Sequence, residues 1–310
     1  MLRTADVADR VTGTDRTSDS SLWQQLRYGA LLRAAGTSVA AARAYAAVVA
    51  EVERRRDPHR SSVAEARIRR SLGMTGDAAR RIYRDALYSE ALEEADSLRF
   101  MSGRSSIARD VDVVGVAPRG GGPRLYAALH FGSPVLAYLA LRAVAEPDLL
   151  LIGRELDEEK NPMPASKREF AARKVAWVEA AGAPFLGTTD RDVLQAREHL
   201  LAGRPLCAAV DVPGNVVRRA EWIDVAGHRV SVATGVLHLA VLTGCDVQLV
   251  AGAHRAGRIS VWCRPAFSAP TVAELARKIA ADVDAVVREW PGEWWMWPFM
   301  VAPREERGFQ

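Results

Sequence analysis

One histidine of this sequence stands where chemistry is possible. His130 ends the apolar run 125–129 and precedes Phe-Gly-Ser-Pro at 131–134, after which a helical stretch covers 135–144. The apolar run has the length of a buried strand. Ligands of open α/β sheets bind at the carboxyl ends of strands, which is where His130 lies. Because its ordinary pKa is near neutrality, an imidazole at this position is suited to general-base chemistry.

The other histidines, the glycine cluster and Ser133 do not have the spacing of a known metal-binding, phosphate-binding or nucleophile motif. His228, His238 and His254 do not have metal-ligand spacing, and the glycines at 120–122 read as a turn that does not fit a phosphate-binding loop. Ser133 does not lie in a nucleophile elbow. We therefore expect neither a metal nor a cofactor.

Alternating strand and helix patterns predict the framework that positions His130. Short runs rich in branched side chains predict strands at 111–116, 149–152, 184–186, 205–210, 247–251 and 259–263, with a hairpin around Gly227. Alanine, leucine and arginine at helical spacing dominate from residue 22 to about 103. We predict an α/β fold: a disordered tail over 1–20, a helical N-terminal lobe over 21–103, and a three-layer core with a mixed sheet over 104–310.

Composition predicts a cytoplasmic protein, at most peripheral to the inner face of the membrane. The chain is 49% hydrophobic and 26% charged, with a formal net charge of +4. No signal peptide is recognisable, and arginines interrupt the alanine-rich stretch 22–50. Three widely spaced cysteines form neither a disulfide framework nor a metal pair. The mild positive charge excludes only strong repulsion of anionic partners, and no basic tail indicates DNA binding.

From about residue 65 onward, the sequence contains a series of different short motifs in a characteristic order. It comprises 66–73 with Glu93 and Glu94, His-Phe-Gly at 130–132, Arg154 with Asn-Pro at 161–162, Arg173 before Ala-Gly at 181–182, GRPLCAAVD at 203–211, Val-Ala-Gly at 225–227, Ala-Thr-Gly at 233–235, and the tryptophan cluster at 290–297. This order resembles the lipid A late acyltransferases of the lysophospholipid acyltransferase superfamily, and the related phosphatidylinositol mannoside acyltransferases.

The resemblance implies an acyltransferase in which His130 is the base. In that family the histidine belongs to an H-x4-D/E motif, and the carboxylate orients the imidazole while an acceptor hydroxyl attacks an acyl thioester. The corresponding position in this sequence is Val135, and its neighbours Pro134 and Leu136 are also non-acidic. The sequence therefore departs from the family at the acid of the motif.

Three interpretations of this departure remain open. In the first, another carboxylate replaces the missing acid, and the candidates are Glu155, Asp190 and Asp211. Asp211 is preferred because it matches an acidic position of the family, although its sequence context fits a solvent-exposed loop aspartate equally well. Alternatively, an amine or hydroxylamine acceptor tolerates the loss of part of a ~10²–10⁴-fold acid–base contribution. Alternatively, the protein is a non-catalytic relative that binds a lipid or a carrier.

The resemblance also suggests substrate contacts. Arg154 and Arg173 match family positions and are candidates to hold the donor or its phosphate, although a solvent-facing role is the ordinary one for any single arginine. Gly132 and the backbone around Ser133 are candidates to stabilise an oxyanion at the helix start. The tryptophans at 290–297 pack against the core, or line an acyl channel or a membrane interface.

These expectations combine into one function with two alternatives. The first is a soluble tailoring enzyme that moves an acyl or aminoacyl group from acyl carrier protein, acyl-CoA or aminoacyl-tRNA to a small hydroxyl, amine or hydroxylamine acceptor. The second is a peripheral phospholipid or glycolipid acyltransferase whose membrane-facing element is an amphipathic helix from Leu22 to about Val52. The third is the non-catalytic acyl- or carrier-binding relative.

Overall fold

The structure, a computed structural model, describes residues 18–115, 122–153, 163–182, 184–213, 220–255 and 258–301. It is a mixed α/β fold in which helices precede a seven-stranded mixed sheet. The fold class predicted from the sequence is confirmed. Among the described residues, no helix combines the length and the apolar character that crossing a membrane requires.

A series of helices forms the N-terminal part of the described chain. It consists of α1 (Ser18–Leu26), a π-helical turn (Arg27–Leu31), α2 (Leu32–Ala35), α3 (Val39–Arg56), α4 (Pro58–Leu72), α5 (Gly76–Met101) and α6 (Ile107–Asp110). The side chains of Ser38, Asp57 and Thr75 cap α3, α4 and α5 by accepting a hydrogen bond from a first-turn amide. Threonine is a favoured capping residue, so the start of α5 at Gly76 follows from local sequence.

Two boundaries at the N-terminus differ from the prediction. Helix α1 begins at Ser18, so the last residues of the predicted tail are helical. The prediction of a single amphipathic helix from 22 to about 52 is wrong, because the helical structure is interrupted between the end of α2 at Ala35 and the start of α3 at Val39. Ser38 Oγ accepts a hydrogen bond from the amide of Ala41 at 3.1 Å, and this cap starts a new helix.

The remaining elements build the sheet and cover both of its faces. In chain order they are β1 (Val111–Val114), β2 (Arg124–Gly132), α7 (Pro134–Val144), β3 (Leu150–Ile152), α8 (Ala165–Ala180), β4 (Phe185–Leu186), α9 (Asp190–Leu201), β5 (Leu206–Ala209), β6 (Ala220–Val225), β7 (His228–Ala233), α10 (Thr234–Thr243), β8 (Asp246–Arg255), β9 (Arg258–Cys263) and α11 (Val272–Glu289). The strand order is β1-β9-β8-β2-β5-β3-β4, and β6 pairs with β7 in a separate ribbon.

Strand β2 lies at the centre of the sheet and is buried on both faces. It pairs in parallel with β8 on one side and β5 on the other. Leu125 and Leu129 belong to a core shared with α11, whereas Tyr126 and Ala128 belong to a core shared with α7. This alternation follows from the two-residue repeat of a strand. Along β2, only His130 is partly exposed, so the strand ends in a single accessible polar side chain.

A buried charge cluster fixes the first helices against α5. Arg27 Nη2 donates to Glu94 at 2.8 Å, and the hydroxyls of Tyr28 and Tyr45 donate to the same carboxylate at 2.6 and 2.8 Å. Burial of Glu94 opposes its charged form, but Arg27 and the tyrosine hydroxyls outweigh burial and keep the pKa of Glu94 below its ordinary value. The cluster therefore holds an ionised carboxylate inside the helical lobe.

We expect Glu94→Ala to lower the free energy of unfolding by about 3–5 kcal/mol, because it leaves the buried Arg27 guanidinium without its main counter-charge. Urea unfolding followed by circular dichroism measures the change. Glu51→Ala is the matched control, since Glu51 pairs with Arg54 and Arg55 at the surface and should change stability by less than about 1 kcal/mol. Equal losses in the two variants would contradict this role of the cluster.

Candidate active site

The structure brings His130 and Asp211 into direct contact. His130 Nδ1 lies 3.0 Å from Asp211 Oδ1 and 2.8 Å from the carbonyl oxygen of Asp211. The backbone amide of His130 also donates to Oδ1 at 2.8 Å. Because Nδ1 faces oxygens that can only accept, the imidazole carries its proton on Nδ1, which leaves Nε2 as the basic nitrogen.

Strand pairing explains why residues far apart in sequence meet here. Strands β2 and β5 are parallel neighbours, and the amide of Val210 donates to the carbonyl of Ala128 at 2.9 Å just before Asp211. Both residues therefore reach the carboxyl edge of the sheet together. The pairing of β2 with β8 shifts between Ala128 and Gly132, which marks an irregularity in the strand around His130.

The C-terminal segment completes the setting of the pair. The indole Nε1 of Trp294 donates to Asp211 Oδ2 at 2.9 Å, and the amide of Trp295 donates to the carbonyl of His130 at 3.1 Å. Trp294 is fully buried and Asp211 is 1% exposed. Sequence reasoning gave the tryptophan cluster a packing, channel or membrane-interface role and missed this contact. No pattern in the sequence pairs an indole with a residue so far away.

Asp211 changes the basicity of His130. Burial disfavours the charged imidazolium, but the negative charge of Asp211 and its hydrogen bonds outweigh burial and raise the pKa of His130 above its ordinary value. Glu90 contributes in the same direction. The side chain of His130 is 34% exposed, whereas that of Asp211 is 1% exposed. The pair thus has a buried acid and an imidazole that reaches a cleft.

The cleft in front of His130 has a volume of about 440 Å³. Helices α5, α7 and α8 and the ends of β3 and β4 form its walls. Apolar side chains make up much of the lining: Val135, Leu151, Phe170, Val175, Val178, Phe185 and Trp295. Val135, which occupies the position of the acid in the H-x4-D/E motif, is therefore part of an apolar wall beside the histidine.

Charged residues from two facing helices line the rest of the cleft. They are Glu90, Glu93 and Glu94 on α5 and Lys167 and Lys174 on α8. Lys174 Nζ donates to both oxygens of Glu93, at 2.7 and 3.0 Å. The cleft lining therefore combines apolar and charged side chains with His130.

Of the other predicted site residues that the structure describes, Asp190 and Arg173 do not line the cleft. Arg154 and Glu155 lie outside the described residues. Asp190 is exposed at the start of α9 and is absent from the cleft lining. Arg173 is exposed on α8 and does not line the cleft, whereas the adjacent Lys174 does. Helical geometry turns neighbouring residues by about 100°, so Arg173 and Lys174 point in different directions from the same helix.

Gly132 and Ser133 have structural roles that the sequence did not reveal. Gly132 has a φ of +55°, and a Cβ there would lie 1.7 Å from the carbonyl oxygen of Gly252. Ser133 is fully buried, and its amide donates to that same carbonyl at 3.1 Å. The amide of Ser133 is therefore engaged by Gly252, and the oxyanion role expected for Gly132 and the backbone around Ser133 stays a prediction. Substitution of Gly132 would force β2 and β8 apart.

A second histidine with carboxylate partners lies at the end of β8. His254 Nε2 is 3.2 Å from Asp96 Oδ2 and 3.3 Å from Ser133 Oγ, and its Nδ1 is 3.5 Å from Glu293 Oε2. Burial opposes the imidazolium, but the carboxylates raise the pKa of His254 to about 9. This charged histidine links α5, α7 and the C-terminal segment behind the His130 site.

Comparison with known proteins does not identify the chain. No protein-family model matches the sequence, and no curated protein is significantly similar to it. The fold and the geometry of the cleft are consequently the basis for a functional proposal.

We expect Asp211→Asn to lower the pKa of His130, because the substitution removes the negative charge and leaves the burial that disfavours the imidazolium. NMR titration of the histidine ring signals, assigned with His130→Ala, measures the change. Asp190→Asn is the control and should leave the His130 titration unchanged. A His130 pKa that is the same in Asp211→Asn and wild type would contradict the electrostatic coupling.

Proposed function

We propose that the protein is an acyltransferase in which His130 is the general base and Asp211 the acid that orients it. The observation that carries the proposal is the 3.0 Å contact between His130 Nδ1 and Asp211 Oδ1 beside a largely apolar cleft. A histidine held in one tautomer by a buried carboxylate is a recurrent arrangement for activating a hydroxyl or an amine.

The chemistry assigns each group one task. Asp211 keeps the proton of the imidazole on Nδ1, and Nε2 takes a proton from the acceptor as its oxygen or nitrogen attacks the acyl carbonyl. A bond forms between the acceptor and the acyl carbon, and the carbon–sulfur or carbon–oxygen bond to the donor breaks. The imidazolium then returns the proton to the leaving thiolate or alkoxide, so that His130 ends the cycle neutral.

The geometry favours one of the three explanations for the missing motif acid. Val135 lines the cleft as an apolar side chain, while Asp211 reaches His130 from the neighbouring strand. A carboxylate is thus present at Nδ1, although the residue five positions after the histidine does not supply it. This supports the replacement interpretation over the loss of the acid, and it weakens the non-catalytic alternative.

The substrates follow from the character of the cleft. Its volume of about 440 Å³ lies within the usual range of small-ligand sites, about 300–1,000 Å³, and its apolar wall suits an acyl chain. Acyl carrier protein, acyl-CoA and an aminoacyl ester remain the proposed donors. The break between α2 and α3 removes the continuous helix on which the peripheral glycolipid alternative depended, so we favour a small acceptor.

The test is donor turnover by mass spectrometry. Purified protein is incubated with acyl-CoA, acyl carrier protein and aminoacyl-tRNA donors, each with simple amine, hydroxylamine and alcohol acceptors. We expect His130→Ala to reduce turnover by about 10²–10⁴-fold, because the acid–base contribution is lost. Adding Asp211→Asn to His130→Ala should cost little more, because the two residues act as a unit.

The pH profile gives an independent check. Nε2 can accept a proton only while the imidazole is neutral, so activity should fall as the pH drops through the raised pKa of His130. In Asp211→Asn this acidic limb should move to lower pH. His59→Ala, at an exposed position on α4, is the control. Absence of turnover with every donor, or full turnover in His130→Ala, would rule out the proposed catalysis.

A further inference from the structure

Three glutamates of α5 line the cleft, and two of them are neutralised. Glu93 accepts two hydrogen bonds from Lys174 and another from Ser97 Oγ at 3.0 Å. Glu94 is held by Arg27 and two tyrosine hydroxyls. These two carboxylates are nearly inaccessible, with side-chain exposures of 4% and 7%. Neither is available to a ligand.

Glu90 differs from these two carboxylates. It lines the same cleft and is partly exposed, and it forms no hydrogen bond or ion pair with any residue in the described part of the chain. Its negative charge acts on His130 and on Tyr28, so the carboxylate lies in the electrostatic neighbourhood of the base. An unpaired carboxylate in a cleft attracts a cation, so Glu90 is one of the two groups from which we infer a cation site beside His130.

The indole of Trp295 is the second group of this cation site. Trp295 lines the cleft, and its ring centroid is 6.2 Å from that of His130. Its Nε1 donates to Ser89 Oγ at 3.5 Å, and Ser89 directly precedes Glu90 on α5. A carboxylate and an indole that line one cleft are side chains of the kind that recognise ammonium groups, because the face of an indole carries partial negative charge.

Two lysines of α8 line the same cleft and act on the other two glutamates. Lys174 is bound to Glu93, and the charge of Lys167 acts on the buried Glu94. Asp211 and Glu90 both carry negative charge that raises the pKa of His130. These two carboxylates therefore favour positive charge beside the base.

We infer that the cleft binds a substrate that carries an ammonium group, held by the Glu90 carboxylate and the Trp295 indole while the reacting atom faces His130. Two sources have this chemistry: an aminoacyl donor, whose α-ammonium lies beside the reacting carbonyl, and an acceptor alcohol with an ammonium group near its hydroxyl. The assignment to a donor or an acceptor rests on the proposed acyl transfer, whereas the ammonium site itself does not.

Binding of three probes of equal length tests the site without any turnover. Hexylammonium, hexanol and hexanoate are titrated into wild type and Glu90→Gln by calorimetry at low salt, with the His130 ring signals recorded in parallel. We expect wild type to bind hexylammonium about 10-fold more tightly than hexanol, as for one charge-assisted contact. Glu90→Gln should abolish this preference and leave hexanol binding unchanged.

Glu169→Gln is the matched control, because Glu169 is an exposed glutamate on α8 outside the cleft and should leave the preference intact. Trp295→Leu should reduce the preference by a smaller factor. Retention of the preference in Glu90→Gln, or tighter binding of hexanoate than of hexylammonium, would overturn the inference. Tighter binding of hexanoate would indicate that the cleft prefers a negatively charged ligand because of Lys167.

Turnover then distinguishes the two sources. A rise in KM in Glu90→Gln for a glycyl thioester, with no rise for an acetyl thioester, assigns the ammonium to the donor. A rise for choline, with no rise for its neutral isostere 3,3-dimethylbutanol, assigns it to the acceptor. Ammonium binding without turnover of any donor would leave this site standing and contradict only the acyl transfer.

Discussion

The buried carboxylate of Asp211 is the constraint on which the site depends. A charge with 1% exposure is costly unless hydrogen bonds compensate it, and here the donors are the amide and ring of His130 and the indole of Trp294. These contacts join β2, β5 and the C-terminal segment at one point. Moving any of the three would leave an ionised group unsatisfied, so the edge of the sheet is held in one arrangement.

Helix α5 connects that edge to the helical lobe. One stretch of the helix carries Glu90, Glu93 and Glu94 in the cleft lining, while Asp96, two residues after Glu94, contacts His254. Because Glu94 anchors the first helices and Glu93 binds α8, the cleft walls share the ion pairs that stabilise the lobe. The lobe is consequently a part of the site as well as a cover for the sheet.

Much of the framework could be predicted, because strand and helix periodicities are local. The apolar run before His130, the hairpin at Gly227 and the cap at Thr75 each depend on residues close in sequence, and the structure has all three. The break at Ser38 was missed because alanine-rich sequence on both sides favours helix, and a single capping hydroxyl decided the boundary.

The sequence by itself determined the strand-end histidine, the α/β class and the absence of an acid at Val135. Only the tertiary structure decided which groups act on that histidine. Asp211 was one of three candidate carboxylates, preferred only through the family resemblance, until parallel pairing of β2 with β5 set its distance. Nothing in the sequence indicated that Trp294 contacts Asp211 or that Glu90 acts on His130. The reason is physical: hydrogen bonds and charge effects depend on separation in space, and pairing registers between distant strands are not encoded in local periodicity.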